Sequence, residues 1–237
     1  MIIFTAIDLV GGKAVRLLKG DYNKMTVYSD TPTKVALDFK KAGATHIHLV
    51  DLEGAKSGET PNLETILAIK KESGLFCEVG GGIRSLETVQ TYLGAGLDRV
   101  ILGTAAVEDE AFLKKAVEAY GEKIAVGVDI KNGFVAIKGW TERSSLDAFA
   151  FCEKMQAIGV KTLICTDIGK DGAMQGTNLP LYRELAQRFD VNITASGGVS
   201  SLADVQNLRK MELYGAIIGK AYYTGAVDLA TAIEVAK

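Results

Sequence analysis

Residues 43–105 and 159–221 are two versions of one segment, aligned without a gap at a constant offset of 116 (Asp51 to Asp167, 167 − 51). Identical pairs include Gly43/Gly159, Asp51/Asp167, Asn62/Asn178, Leu63/Leu179, Gly81/Gly197 and Gly82/Gly198. They continue through Ser85/Ser201, Leu86/Leu202, Val89/Val205, Gln90/Gln206, Ile101/Ile217, Gly103/Gly219 and Ala105/Ala221. Ahead of each copy, Ala6-Ile7-Asp8-Leu9 matches Gly127-Val128-Asp129-Ile130 at an offset of 121 (129 − 8). Self-similarity over this length is an architectural constraint: a fold lacking an internal twofold would leave the correspondence without a cause.

Short apolar, β-branched runs fall near 2–8, 46–51, 76–80, 99–103, 124–130, 162–166, 192–196 and 214–219. Amphipathic runs of helical period lie between them, near 32–42, 62–72, 86–95, 109–119, 145–158, 179–188, 201–210 and 226–236. Many open on a start signal: Thr31-Pro32, Pro61-Asn62, Ser85, Asn178 and Ser200-Ser201. Strand–helix alternation predicts a parallel sheet with crossover helices. Eight such units in 237 residues suit a (β/α)8 TIM barrel, with a doubly wound open sheet as the rival. Two like halves of four units decide for the barrel. No Pro- or Ser-rich linker separates them, so residues 1–237 read as one domain, the repeat running over about 1–120 and 121–237.

Composition excludes several functional classes. At 48% hydrophobic and 24% charged, with 3 prolines, the chain has ample apolar surface to offset chain entropy. Its 27 Lys+Arg against 29 Asp+Glu give a net charge of −2, which supplies no basic field for nucleic acid or a membrane surface. Cys77, Cys152 and Cys165 show no CxxC spacing and read as reduced core thiols of a cytoplasmic protein. The only histidines, His46 and His48, share one apolar run, so no metal site is expected. His48 and His46 have opposite parity to Asp51 and are expected to turn toward the helices as packing residues.

In such barrels, reacting groups come from the C-terminal ends of the strands. Asp8, Asp51, Asp129 and Asp167 end four of the runs; the other four end in Gly80-Gly81-Gly82, Gly103-Thr104, Gly197-Gly198 and Gly219-Lys220. Glycine turns feeding helix N-termini expose backbone N–H groups, which favour anions. Gly197-Gly198-Val199-Ser200 with Gly219-Lys220 would make one phosphate grip, and Gly81-Gly82-Ile83-Arg84 with Gly103-Thr104 its symmetric partner. The competing reading makes these glycines turn residues only. Two grips imply a small-molecule substrate phosphorylated at both ends, its centre over the barrel axis. Asp8 and Asp129, symmetric and on facing strands, suit a general base and acid. A structural role is expected for Asp51, and Asp167 is left open. The glycine-rich stretch 167–178 reads as a lid or a solvated connection. Trp140, on a loop over 132–142, could stack on a heteroaromatic base or pack over the mouth. Arg16 and Lys19, in the matching segment 11–21, are candidate phosphate neighbours.

At these residues the chain resembles, from end to end, the ProFAR isomerase family of histidine biosynthesis. The resemblance rests on Ala6-Ile-Asp-Leu, Val15-Arg-Leu, Lys19-Gly-Asp21, Val50-Asp-Leu-Glu-Gly-Ala55 and Gly80-Gly-Gly-Ile-Arg-Ser85. It continues in Gly139-Trp140, Thr166-Asp-Ile-Gly-Lys-Asp-Gly172, Gly176-Thr-Asn178, Ser196-Gly-Gly-Val199 and Ile218-Gly-Lys-Ala221. It implies a cofactor-free aldose–ketose isomerase that performs an Amadori rearrangement of the bis-phosphorylated ribotide ProFAR to its ribulosyl isomer. Asp8 would then be the proton acceptor, Asp129 the proton donor, and Thr166 and Asp171 helpers near the ribose. Arg16, Lys19, Gly81, Gly82, Arg84, Gly103, Thr104, Trp140, Gly172, Gly176, Ser196, Gly197, Gly198, Gly219 and Lys220 would complete the substrate site of a monomer. Three alternatives stay open: the sister cyclase, an isomerase that also accepts phosphoribosyl anthranilate, and a catalytically silent sugar-phosphate binder.

Overall fold

In the computed structural model, which describes residues 1–18 and 20–237, the expected strands close into a ring. In chain order the strands are β1 (Ile2–Val10), β2 (Lys13–Leu18), β3 (Asp21–Ser29), β4 (His46–Asp51), β5 (Phe76–Gly80) and β6 (Arg99–Leu102). There follow β7 (Ile124–Lys131), β8 (Phe134–Ile137), β9 (Glu142–Asp147), β10 (Thr162–Asp167), β11 (Asn192–Ser196) and β12 (Gly215–Ile218). Strands β1, β4, β5, β6, β7, β10, β11 and β12 pair in that order, all parallel, and β12 returns to β1. The first half of the chain supplies four consecutive staves and the second half the other four. This is a (β/α)8 TIM barrel. Closure leaves no sheet edge in the ring.

The helices are α1 (Pro32–Lys41), α2 (Leu52–Ser57), α3 (Leu63–Ser73), α4 (Leu86–Gly94), α5 (Thr104–Glu108) and α6 (Glu110–Tyr120). The second half adds α7 (Ala148–Ile158), α8 (Leu179–Arg188), α9 (Leu202–Arg209), α10 (Lys220–Tyr223) and α11 (Leu229–Ala236). Ser85 caps α4 by accepting from the Thr88 N–H, and Ser201 with Asp204 forms a reciprocal capping box on α9. Asn62 does not cap α3; its side chain is taken by Asp51. The run expected over 145–158 becomes helical only at Ala148, because residues up to Asp147 pair with β8 and Asp147 caps α7.

Two apolar layers hold the barrel. Outward-facing strand residues such as Ile47, Leu49, Val79, Val126 and Leu163 pack against the helices in one continuous shell. Truncating one of the Ile or Leu residues among these to alanine would cost about 2–5 kcal/mol. A second cluster, Phe4, Ala6, Ile101, Ala125, Ile164 and Ile217, fills the interior. The segments expected as loops over 11–21 and 132–142 are instead ribbons. β2 pairs antiparallel with the end of β1, and β8 with the end of β7. Each barrel strand overshoots the ring and offers its exposed edge to the returning chain. Both ribbons stand at the C-terminal mouth, above the two acids.

Candidate active site

One cavity of about 270 Å³ opens at that mouth. Asp8 on β1 and Asp129 on β7 both line it. Those strands are four positions apart in either direction round the ring, so the two carboxyls come from opposite walls. Asp8 is ion-paired: Arg16 Nη1 donates to its Oδ2 at 2.9 Å, and Arg16 Nη2 donates to the Ala6 carbonyl at 3.0 Å. Arg16 reaches both because β2 runs back alongside β1, with Val15 opposite Asp8.

Asp129 has different surroundings. Burial pushes its carboxyl above the ordinary range, opposed by hydrogen bonding to Trp140 and Thr166 and by the nearby His48. Thr166 is its register partner on β10. Trp140, at the turn of the β8–β9 ribbon, packs across the mouth: a Cβ on Gly20 would come within 2.6 Å of its ring. Trp140 lines the cavity, where it has Asp129 as its polar partner. Asp171 also lines the cavity, and burial raises its carboxyl to about 6, against the pull of Arg16 and Lys220. Two carboxyls raised by burial and one held in an ion pair make a site suited to proton transfer.

The rim glycines divide into two kinds. Gly82 has φ +72°, and a Cβ there would lie 1.8 Å from the Gly54 carbonyl oxygen; at Gly81 it would lie 2.1 Å from that of Asp51. Gly197 and Gly198 meet Asp167 and Gly176 in the same way, at 2.7 and 2.5 Å. At these four positions neighbouring loop backbones leave no room for a Cβ, so the packing of the rim requires glycine whether or not an anion approaches. Gly176 belongs to that scaffold and does not line the cavity. Gly103 has open space at the Cβ position, and at Gly219 a Cβ would meet Arg16. They open α5 and α10, neither of which has a side-chain cap at its N-terminus. The uncapped amides lie on opposite sides of the ring, just past the ends of β6 and β12.

Asp51 is fully buried and holds its own loop, accepting from the Gly54 N–H, the Asn62 N–H and Asn62 Nδ2. Asp167 repeats this with Gly169 and Asn178, which settles it as structural. The 168–178 segment folds over the rim, where Lys220 Nζ donates to the Gly172 carbonyl at 2.9 Å. Arg84, Gly172, Ser196 and Lys220 line the cavity with the rest, while Lys19 lies outside the described residues.

The histidines do not face the helices. Ile47 and Leu49 do, so His46 and His48 point into the barrel: His46 packs against Phe4 and Phe76, and His48 lines the cavity floor. Beneath His48 stands Glu78, which the sequence reading passed over. A lone acid between Cys77 and Val79 in a buried strand was the available signal. Among the described residues, no group of three or more His, Cys, Asp or Glu side chains is arranged to hold a metal ion, and no helix is long and apolar enough to cross a membrane.

Residues 2–228 match the family described as histidine biosynthesis protein. A protein of Lactococcus lactis is 52% identical over 231 residues, 97% of each chain, and one of Oceanobacillus iheyensis is 51% identical over 234 residues, 99% of this chain and 98% of its own. A third, from Acetivibrio thermocellus, is 43% identical over the full length of both chains. All three are named 1-(5-phosphoribosyl)-5-((5-phosphoribosylamino)methylideneamino)imidazole-4-carboxamide isomerase. With its half-barrel repeat, opposed aspartates and end-to-end identity to these proteins, the chain belongs to the histidine biosynthesis protein family.

Proposed function

We propose that the chain catalyses the isomerisation for which its relatives are named, in the cytoplasm, as a monomer and without a cofactor, by general acid–base catalysis between Asp129 and Asp8. The observation that carries this reading is the difference between two carboxyls on opposite walls of one cavity: Asp129 pushed up by burial, Asp8 ion-paired with Arg16. One chain supplies both carboxyls and both rims.

The reaction then runs as a closed proton cycle. Asp129 donates its proton to the ribose ring oxygen; the ring C1–O bond breaks as the amino nitrogen forms a C=N bond to C1, giving a protonated Schiff base. Asp8 takes the proton from C2, and the C–H electrons form a C1=C2 bond. Return of that proton to C1, with loss of the C2 hydroxyl proton to Asp129, yields the aminoketose and resets both acids. Each positioned carboxyl contributes roughly 10²–10⁴ in rate. Trp140 and Thr166 stabilise the Asp129 carboxylate that forms in the first step.

The rims supply orientation. Amides at Gly103-Thr104 and Gly219-Lys220 would each grip one terminal phosphate. The line joining these rims crosses the line joining Asp8 to Asp129, so a substrate stretched between them sets its centre between acid and base.

Conversion of the bis-phosphorylated ribotide by purified wild type, Asp8→Asn and Asp129→Asn tests the assignment. Each variant is expected to lose at least about 100-fold in kcat with KM within a few-fold. Retention of more than about a tenth of the wild-type rate by either one removes that residue from its role.

A further inference from the structure

Below the two acids, the barrel interior holds a column of polar side chains that the proton cycle does not use. Glu78 on β5 is wholly buried, and both its oxygens are taken. Oε1 is 2.7 Å from His48 Nδ1, and Oε2 accepts from Arg99 Nη1 at 3.2 Å. Arg99 is held in turn from below, lying over the rings of Phe76 and Tyr214 at 5.1 and 5.7 Å, with Nη2 donating to the Tyr214 hydroxyl at 3.2 Å. The column thus climbs from an aromatic base through Arg99 and Glu78 to His48, which opens on the cavity.

Burying these charges is not the most stable way to fill a barrel. Apolar residues of similar volume are often as good or better, and the adjacent interior layer is indeed Phe4, Ile101 and Ile217. What the column does supply is orientation. An ionised carboxylate only accepts hydrogen bonds, so the nitrogen facing Glu78 must carry a hydrogen. Nε2 is the nitrogen left over, and it has no hydrogen-bond partner among the described residues. The ring lies within electrostatic reach of Asp129 and opens on the same cavity.

We propose that Glu78, anchored by Arg99, is a positioning residue for the reaction: it clamps His48 with Nδ1 protonated and presents Nε2 to a ribose hydroxyl at the cavity floor beside Asp129. The kinetic part of this rests on the isomerase reading above; the clamp itself does not.

The test has two arms. Nitrogen-15 spectra of the imidazole rings at pH 8, with His48 assigned by its loss in His48→Gln, should show a protonated Nδ1 in wild type. Glu78→Gln should move the neutral ring to the Nε2–H form. An unprotonated Nδ1 in wild type would overturn the clamp, whatever the enzyme's activity. In steady-state kinetics, Glu78→Gln should lower kcat about 10-fold with KM within twofold, and Glu78→Gln/His48→Gln should be no slower than His48→Gln alone. An unchanged kcat, or effects that multiply, would show that Glu78 only fills the barrel. Should Glu78→Gln not fold, Glu78→Asp, which withdraws the carboxylate by one methylene, reads the same two quantities. A wild type that does not isomerise the ribotide would refute the isomerase reading and leave the tautomer result standing.

Discussion

Arg16 binds the carboxylate of Asp8 and the backbone carbonyl of Ala6 through the two arms of one guanidinium, at 2.9 and 3.0 Å. The same group lies over the Tyr223 ring at 5.6 Å and abuts Gly219. Asp8, the proposed base, and one rim of the cavity are therefore fixed by a single side chain.

A lysine cannot reproduce that fork, since its ammonium is a point donor on a flexible stem. Arg16→Lys is expected to lower kcat/KM by about 10–100-fold, with most of the loss in kcat, while thermal stability falls by no more than ~2 kcal/mol. Parallel steady-state kinetics and thermal melts would check the split; an unimpaired kcat would mean that Asp8 does not depend on its partner.

Trp140 is expected to act through its N–H. Because hydrogen bonding to Trp140 pulls the Asp129 carboxyl down, Trp140→Phe should let it rise further. The acid must be protonated to work, so the alkaline limb of the kcat–pH profile should move to higher pH. The rate at the plateau should fall about 10-fold, since the carboxylate left after proton donation is less stabilised. A limb that moves down, or not at all, contradicts the contact.

Gly82→Ala should act on the fold before it acts on binding. A methyl group there would stand 1.8 Å from the Gly54 carbonyl oxygen, on a backbone with φ +72°. We expect a loss of more than ~2 kcal/mol in chemical denaturation. A variant of wild-type stability with raised KM would show that an approaching anion, and not the Gly54 loop, demands glycine at this position.

Asp171 offers a pH test. Its carboxyl is raised by burial from 3.8 to about 6, so the folded chain holds this proton more tightly than the unfolded chain. The raised value costs nothing below the unfolded pKa, and stability is lost as pH climbs from about 4 to about 6. Asp171→Asn removes that loss: its melting temperature should exceed wild type at pH 7, by on the order of 1–3 kcal/mol in free energy, and match it at pH 4. Equal stability at both pH values would show that Asp171 is well solvated.

Removing one phosphate from the substrate tests the paired rims. A ligand carrying a single terminal phosphate leaves either the Gly103 or the Gly219 amides empty and should bind at least 10-fold more weakly than the bis-phosphorylated one. Isothermal titration with inactive Asp8→Asn would measure this without turnover; equal affinities would return these glycines to the role of turns.

Much of this was legible in the chain as written. The eight barrel strands and their order follow from local signals: β-branched runs, helix-start residues such as Ser85 and Ser201, and a repeat that puts Asp8 opposite Asp129 and Gly103 opposite Gly219. Strand alternation told that His48 and Asp51 lie on opposite faces of β4. It could not tell which face is the lumen, because both faces of a barrel strand are buried and both accept apolar side chains. Closure of the ring decided that, turning Asp51 outward to hold its own loop and His48 inward onto Glu78. The ribbons β2–β3 and β8–β9 were equally hidden. Apolar runs such as Phe134–Ile137 in β8 are too brief to announce a ribbon, which forms only because β1 and β7 overshoot the ring and offer a free edge. Contacts such as Trp140 with Asp129, or Arg16 with both Asp8 and Gly219, depend on that edge pairing. They are long-range consequences of the closed barrel, which no local pattern of residues encodes.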